Sequence, residues 1–251
     1  MAERPPLGVI ILAAGKGKRM KSPDQKVLHS IGNKPMIRRV VATARALNPE
    51  KIVVIVGSHK ERMNDILDGE QLTLVEQEER LGTGDAVLRA EKEFESFDGC
   101  ILVLSGDVPL LSQMTLDKLL AKHYVSHASA TVLAAIFDDP TGYGRIVRNG
   151  VENLHRIVEE KDCTDDLRTI REVNAGVYAF DARLLFRYLP EVGNNNVQKE
   201  YYLPDVLTVL RSSGHLVAVE SVTDSREVAG VNTQEQLIEA NRIYRELYEN
   251  N

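Results

Sequence analysis

Cysteine is scarce in this chain. Two thiols, Cys100 and Cys163, stand among 251 residues, too few for the disulfide framework of a small secreted scaffold. Each lies in a segment that reads as buried or nearly so, which predicts inert thiols rather than a redox pair. Long apolar runs are missing too, and no stretch approaches the ~20 residues of a membrane span. The opening MAERPPLGVIILAAG holds an apolar run too short, and too soon followed by lysines, for a secretory signal. A reducing, cytoplasmic setting is the expectation. A basic surplus is also absent: 31 Lys+Arg against 37 Asp+Glu leave a net charge of −6, which argues against a general nucleic-acid binder. There is no low-complexity segment and no internal repeat, in particular no hexapeptide repeat of the left-handed β-helix type.

What is present suits a soluble globular chain with a full core, at 43% hydrophobic and 27% charged residues. The length fits one generous domain, or a large domain with a small lobe. Leu7–Ala13 is apolar at almost every position, as a parallel strand buried on both faces would be. After a loop rich in glycine and lysine, Pro35 opens a helical run, MIRRVVATARAL, with apolar residues spaced for one face. A strand at Lys51–Gly57, a polar helix near Lys60–Leu67, a strand at Leu72–Glu76, a helix at Thr83–Phe94 and a strand at Cys100–Ser105 follow. This alternation predicts a doubly wound, Rossmann-like α/β sheet with right-handed crossovers. After Ser129–Phe137 the pattern changes near residue 138. Short strands around Gly144–Arg148, Leu154–Glu159 and Glu172–Phe180 crowd together and predict a smaller β-rich lobe. Helices return at Ala182–Leu189, Tyr202–Ser212 and Thr233–Asn250.

In doubly wound sheets ligands bind beyond the carboxyl ends of the strands, which puts the loop after Leu7–Ala13 in position to act. Its glycines let the backbone approach a phosphate, and its N–H groups are neutral donors. Lys16, Lys18, Arg19, Lys21, Lys26 and Lys34 fall in one short segment against a single acid, Asp24. A basic pocket in an acidic protein suits a polyphosphate. The dinucleotide fingerprint fails, because it needs a third small residue where Met20 stands, and a P-loop fails because Gly17-Lys18 is followed by Arg19. An ordinary turn carrying solvated lysines is the plainer alternative.

The run Leu12-Ala-Ala-Gly-Lys-Gly-Lys-Arg-Met20, with Lys26-Val-Leu28 and Gly32-Asn-Lys-Pro-Met36, resembles the signature of the sugar-1-phosphate nucleotidyltransferases. Within them it is most like the uridylyltransferase domain of the bifunctional N-acetylglucosamine-1-phosphate enzyme. The resemblance continues in order through Gln77 with Leu81-Gly-Thr-Gly84, Gly106-Asp107, Gly142-Tyr-Gly-Arg145, Ile157-Val-Glu-Glu-Lys-Asp162, Asn174-Ala-Gly176, Glu200-Tyr-Tyr202 and Gly230-Val-Asn232. It implies a mixed sheet of the nucleotide-diphospho-sugar transferase type. It further implies one domain over 1–251, divided into a nucleotide-binding part (1–137), a sugar-binding part (138–232) and a C-terminal helix (233–251).

The reaction the resemblance implies is attack by a sugar-1-phosphate oxygen on the α-phosphorus of a nucleoside triphosphate. Arg19 and Lys26 would hold the triphosphate, assisted by the backbone of Ala14, Gly15 and Gly17, and Lys16 would meet the β- or γ-phosphate. Leu12, Ala13, Gln77, Gly82 and Thr83 match positions that bind uridine, although core packing explains Leu12 and Ala13 equally well. Asp107 and Asn232 match a Mg²⁺ pair, a small set of oxygens of the kind this hard cation takes. Asn232 could instead cap the last helix. Gly144, Glu159 and Asn174 match positions that hold the sugar and its N-acetyl group, with Tyr202 or Tyr201 closing the pocket. The expected substrates are UTP and N-acetylglucosamine 1-phosphate.

Several positions depart from the family pattern. Lys18 replaces a hydroxyl residue, Gln25 a proline, Arg80 a glutamine, Ser105 a tyrosine and Ala175 a threonine. Exact substrate choice is therefore less firmly implied than reaction class. Transfer to another sugar phosphate, or of a thymidylyl or cytidylyl group, is one alternative, and a catalytically silent nucleotide-sugar sensor is another. Without β-helix repeats a monomer or weak dimer is expected. The six histidines show no metal-ligand spacing and read as surface or partly buried, and the acidic runs Glu76–Glu79 and Glu159–Asp166 read as solvated, Glu159 excepted.

Overall fold

A computed structural model describes residues 5–15, 17–22, 24–58, 60–150 and 153–248. Strand β1 (Leu7–Ala13) leads through a short hairpin, β2 (Ser30–Ile31) and β3 (Lys34–Pro35), to helix α1 (Met36–Arg45). Then come β4 (Lys51–Val56), α2 (Lys60–Ile66), β5 (Thr73–Glu76), α3 (Thr83–Leu88), β6 (Cys100–Ser105), α4 (Gln113–Val125) and β7 (Ala130–Ile136). The remainder runs β8 (Arg145–Asn149), β9 (Asn153–Val158), α5 (Asp165–Arg168), β10 (Glu172–Asp181), α6 (Ala182–Tyr188), α7 (Asp205–Ser212), β11 (Val217–Ser221) and α8 (Gln234–Tyr248).

The main sheet has the order β11-β7-β10-β6-β1-β4-β5. β1 pairs in parallel with β4 and β6, and β4 in parallel with β5. β10 is antiparallel to both β6 and β7, which makes the sheet mixed. Alternate residues of the inner strands feed opposite faces, the period a strand imposes. Val9, Ile11, Ile52, Val54, Leu102 and Leu104 join α1, α2 and α4 on one side. Ile10, Val53, Ile55, Ile101 and Val103 join α3, α6 and α7 on the other. A third cluster fastens α8 to the base of the first crossover through Ala240, Ile243, Ile31, Met36 and Leu110.

The three crowded strands do not stay together as one lobe. β8 and β9 form a hairpin, whereas β10 lies inside the main sheet and pairs with β8 only at Val173↔Arg145. The helix expected over Thr83–Phe94 ends at Leu88, and the chain turns again at Glu91–Phe94. That turn brings Phe94 over Gly8, where a Cβ on Gly8 would collide with its ring. Cys100 and Cys163 are both free and buried, and burial pushes the Cys100 thiol up to about 12. His123 is a core residue rather than a surface one: its Nδ1 lies 3.0 Å from Thr131 Oγ1, and burial lowers it to about 4. His59 lies outside the described residues. None of the described helices is long and apolar enough to cross a membrane.

Candidate active site

Because β1, β4 and β6 run in parallel, their carboxyl ends share one edge of the sheet, and two adjoining clefts open there. They have volumes of about 410 and 350 Å³ and share Leu12, Thr83, Ser105 and Asp107. Both volumes fall in the range of small-molecule sites.

The seam between the clefts is charged. Lys26 Nζ donates to Asp107 Oδ2 at 2.5 Å and to Asn232 Oδ1 at 2.8 Å, and Arg19 reaches the same Asn232 oxygen at 3.0 Å. Four residues spread over more than 200 positions of sequence thus meet at one point. Asp107 stands just past β6, and its carbonyl accepts from the Val231 N–H at 2.9 Å, which draws the segment before α8 into the site. The alternative role of Asn232 as a helix cap falls to its neighbour. Thr233 Oγ1 accepts from Gln236 N–H, and Gln236 Oε1 accepts in return from the N–H groups of Asn232 and Thr233. That reciprocal capping box leaves the Asn232 side chain to Lys26 and Arg19.

The loop after β1 explains two of its glycines differently. Gly17 has φ +59°, and a Cβ there would sit 2.6 Å from Lys26 Cβ, so the loop packs directly on the Lys26 segment. Gly15 meets nothing within 4 Å and lines the first cleft, so a Cβ there would project into space that a ligand can use. Lys16 lies outside the described residues. Lys34 does not reach the site; it lines a separate depression beside Arg39 and Tyr244.

Leu12, Ala13, Ala14, Gln77, Gly82 and Thr83 all line the first cleft. Leu12, Ala13 and Ala14 also pack into the core, as the packing reading of Leu12 and Ala13 requires. Gly82 has φ +119°, and a Cβ there would lie 2.7 Å from Tyr201 N. The close approach zips two segments together: Tyr201 N donates to Leu81 O, Gly84 N to Tyr201 O, and Leu203 N to Thr83 Oγ1. Arg80 Nε donates to Ala14 O at 2.7 Å and pins the Gly-rich loop from the opposite wall.

Gly144, Glu159 and Asn174 line the second cleft. Gly144 approaches Glu159 closely, since a Cβ would stand 3.1 Å from Glu159 Oε1. Burial raises Glu159 to about 7, and the carboxylates of Asp205, Asp162 and Glu200 push it the same way. The Asn174 amide braces the bulge of β10, donating to Tyr178 Oη and accepting from Gly176 N–H. Tyr202 lines neither cleft; its hydroxyl lies 3.4 Å from Asp162 Oδ2, while Tyr201 acts through its backbone. Glu160, read as solvated, is instead the partner of Arg145 at 2.8 Å. That guanidinium is buried at the foot of β8, where an unpaired charge would be costly.

Residues 9–174 match the model of the MobA-like NTP transferase domain. The chain belongs to that family. It is 47% identical over 235 residues to the bifunctional protein GlmU of Lactobacillus gasseri, which covers 94% of this chain and 51% of that protein. It is likewise 47% identical over 238 residues to the bifunctional protein GlmU of Corynebacterium efficiens, covering 92% of this chain and 49% of the other. The chain thus spans about half the length of the curated relatives it matches. The fold is similar to that of a UDP-glucose pyrophosphorylase complexed with UDP-glucose, with a TM-score of 0.76 at 18% identity over 96% of this chain and 99% of that one.

Sequence reasoning assigned no role to Tyr143 or Arg145, although both stand in a quoted motif. Tyr143 stacks on Phe137, and its hydroxyl accepts from Gly230 N–H at 3.0 Å, joining the second cleft to the segment that carries Asn232. The signal was present in an aromatic residue flanked by two glycines.

Proposed function

We propose that this NTP transferase moves the uridylyl group of UTP onto N-acetylglucosamine 1-phosphate and releases pyrophosphate. The observation that carries the reading is the convergence of Arg19, Lys26, Asp107 and Asn232 on the seam shared by two clefts. The sugar phosphate arrives largely ionised, with a second pKa near ~6, so no general base is needed. A phosphate oxygen forms a bond to the α-phosphorus, the bond from that phosphorus to the bridging oxygen breaks, and pyrophosphate leaves with the electron pair. Catalysis is then positioning and charge neutralisation. Arg19 and Lys26 supply positive charge at the seam, and the open approach at Gly15 admits the triphosphate to the backbone N–H groups.

Asp107 and Asn232 fit a divalent cation, because their oxygens already converge on one cationic atom, Lys26 Nζ. Among the described residues no group of three or more His, Cys, Asp or Glu could hold a metal, so the donor set is one carboxylate and one amide oxygen. That suits Mg²⁺, which keeps most positions for phosphate oxygens and water and supplies Lewis-acid charge when bound. In the second cleft, Glu159 would accept sugar hydroxyls and Asn174 would frame the acetamido side. The identity to the GlmU proteins and the ordered motifs favour N-acetylglucosamine. Glucose 1-phosphate is the second reading, because Ser105 and Ala175, which depart from the family pattern, stand in the cleft walls. A silent sensor has no need for Arg19, Lys26 and Asp107 together.

The test is a panel of UTP, dTTP and CTP against several sugar 1-phosphates, followed by pyrophosphate release. UTP with N-acetylglucosamine 1-phosphate is expected to turn over fastest. Turnover confined to a nucleotide other than UTP would overturn the reading.

A further inference from the structure

We propose that Asp85 sets the base preference of the nucleotide cleft, by fixing which end of the Gln77 amide faces the base. The inference rests on the uridylyl-transfer reading above and names the device that would select the uracil ring.

Gln77 is buried at the mouth of the first cleft, held by its backbone N–H to Val56 O. Its Nε2 lies 3.0 Å from Gly82 O and 2.7 Å from Asp85 Oδ2. A carbonyl and a carboxylate only accept, so both amide hydrogens are committed on that side. Turning the amide over would set Oε1 against two acceptors in a buried place, where an unmade charge-assisted bond is expensive. The carbonyl Oε1 is therefore the end left for the cleft. Asp85 is itself held, with Oδ1 accepting from Arg89 one helical turn further on at 2.9 Å. Asp85 does not line the cleft, whereas Gln77 and Ala86 do. It is a positioning residue that acts through Gln77.

A fixed acceptor facing the base has a definite preference. Uracil carries a donor at N3, and cytosine carries a lone pair there. Set opposite N3, the locked amide accepts from the first and opposes the second. The same argument does not separate uracil from thymine, which share the N3–H.

The experiment compares kcat/KM for UTP and CTP, with one sugar phosphate, in the wild-type chain, Asp85→Ala, Gln77→Ala and the double variant. Asp85→Ala is expected to lower the UTP:CTP ratio by about tenfold or more, the worth of a buried hydrogen bond to a charged group. In the Gln77→Ala background the same change is expected to move the ratio by less than about twofold, since the amide it orients is gone. Arg89→Gln, at a half-exposed position, is expected to lower the ratio by a smaller factor, and it carries the test if Asp85→Ala does not fold. An equal fall for UTP and CTP in Asp85→Ala would show a merely structural role and overturn the assignment, as would an undiminished effect without Gln77. A wild-type chain that uses UTP while Asp85→Ala leaves the ratio unmoved sinks this inference alone. A wild-type chain that uses no pyrimidine triphosphate sinks the uridylyl-transfer reading and this inference with it.

Discussion

Replacing Glu159 by Gln should make the protein more stable at alkaline pH and leave it unchanged in acid. In the folded chain the Glu159 carboxyl sits among Asp205, Asp162 and Glu200 and is raised from 4.5 to about 7, mainly by burial. The folded state therefore binds a proton that the unfolded state releases, and stability declines as pH climbs from 4.5 through about 7. Above that window the carboxylate is ionised in both states, and its cost to the fold is complete. At about 1.4 kcal/mol per pH unit the cost is about 3 kcal/mol. For a chain of this size that corresponds to roughly 6–12 °C in Tm. Glutamine keeps the shape and removes the charge, so the variant should melt higher than wild type by that amount at pH 8 and equally well near pH 4. The difference between the two melting curves is the quantity to follow. His123, lowered to about 4, removes stability as pH falls through the same range and so masks Glu159 in the wild-type curve alone. A difference constant across pH, or no gain at pH 8, would refute the reasoning. The stabilised variant should also lose kcat/KM for the sugar phosphate, because a buried carboxylate that strains the fold is the acceptor the sugar hydroxyls would use.

Other outcomes follow from the same geometry. Lys26→Ala should cut kcat by about 100-fold or more, as loss of a charge-stabilising group does, while changing Tm by only a few degrees, since Asp107 keeps contact with water; equal loss in stability and turnover would mean a structural lysine. Gly82→Ala should cost about 1–3 kcal/mol and raise KM for the nucleotide, because φ +119° is strained for alanine and the new methyl meets the Tyr201 backbone. An unchanged Tm and KM in that variant would show that the seam between residues 81–84 and 201–203 yields freely.

The layered sheet was legible because its inner strands are short apolar runs, with helices between them that carry apolar faces. Cys100–Ser105 and Leu7–Ala13 fall on β6 and β1 without adjustment. What local pattern does not contain is partnership. β10 reads like its neighbours β8 and β9, yet it pairs between β6 and β7, a choice made by contacts distant in sequence. The helix α4 went unread although its cap was visible, Ser112 Oγ accepting from Thr115 N–H. β11 was missed because it is short and only half buried at the sheet's edge. The helix expected from Tyr202 begins at Asp205, since Tyr201–Leu203 is committed to the Leu81–Gly84 loop. In the site, sequence named the motif residues one by one. Their joining was not legible, because Arg19 and Lys26 meet Asn232 only once the C-terminal segment is tied to Asp107. Tyr202 was misplaced for a related reason: sequence gives an aromatic beside the site but not which way the backbone turns it.

The oxygens of Asp107 and Asn232, with Arg19 and Lys26, are proposed to form one phosphate-handling centre. Pyrophosphate release by Asp107→Ala, with UTP, N-acetylglucosamine 1-phosphate and magnesium present, tests it most directly. Turnover is expected to fall by about 100-fold or more, with the melting temperature little changed. Turnover equal to wild type in a folded Asp107→Ala chain would contradict it.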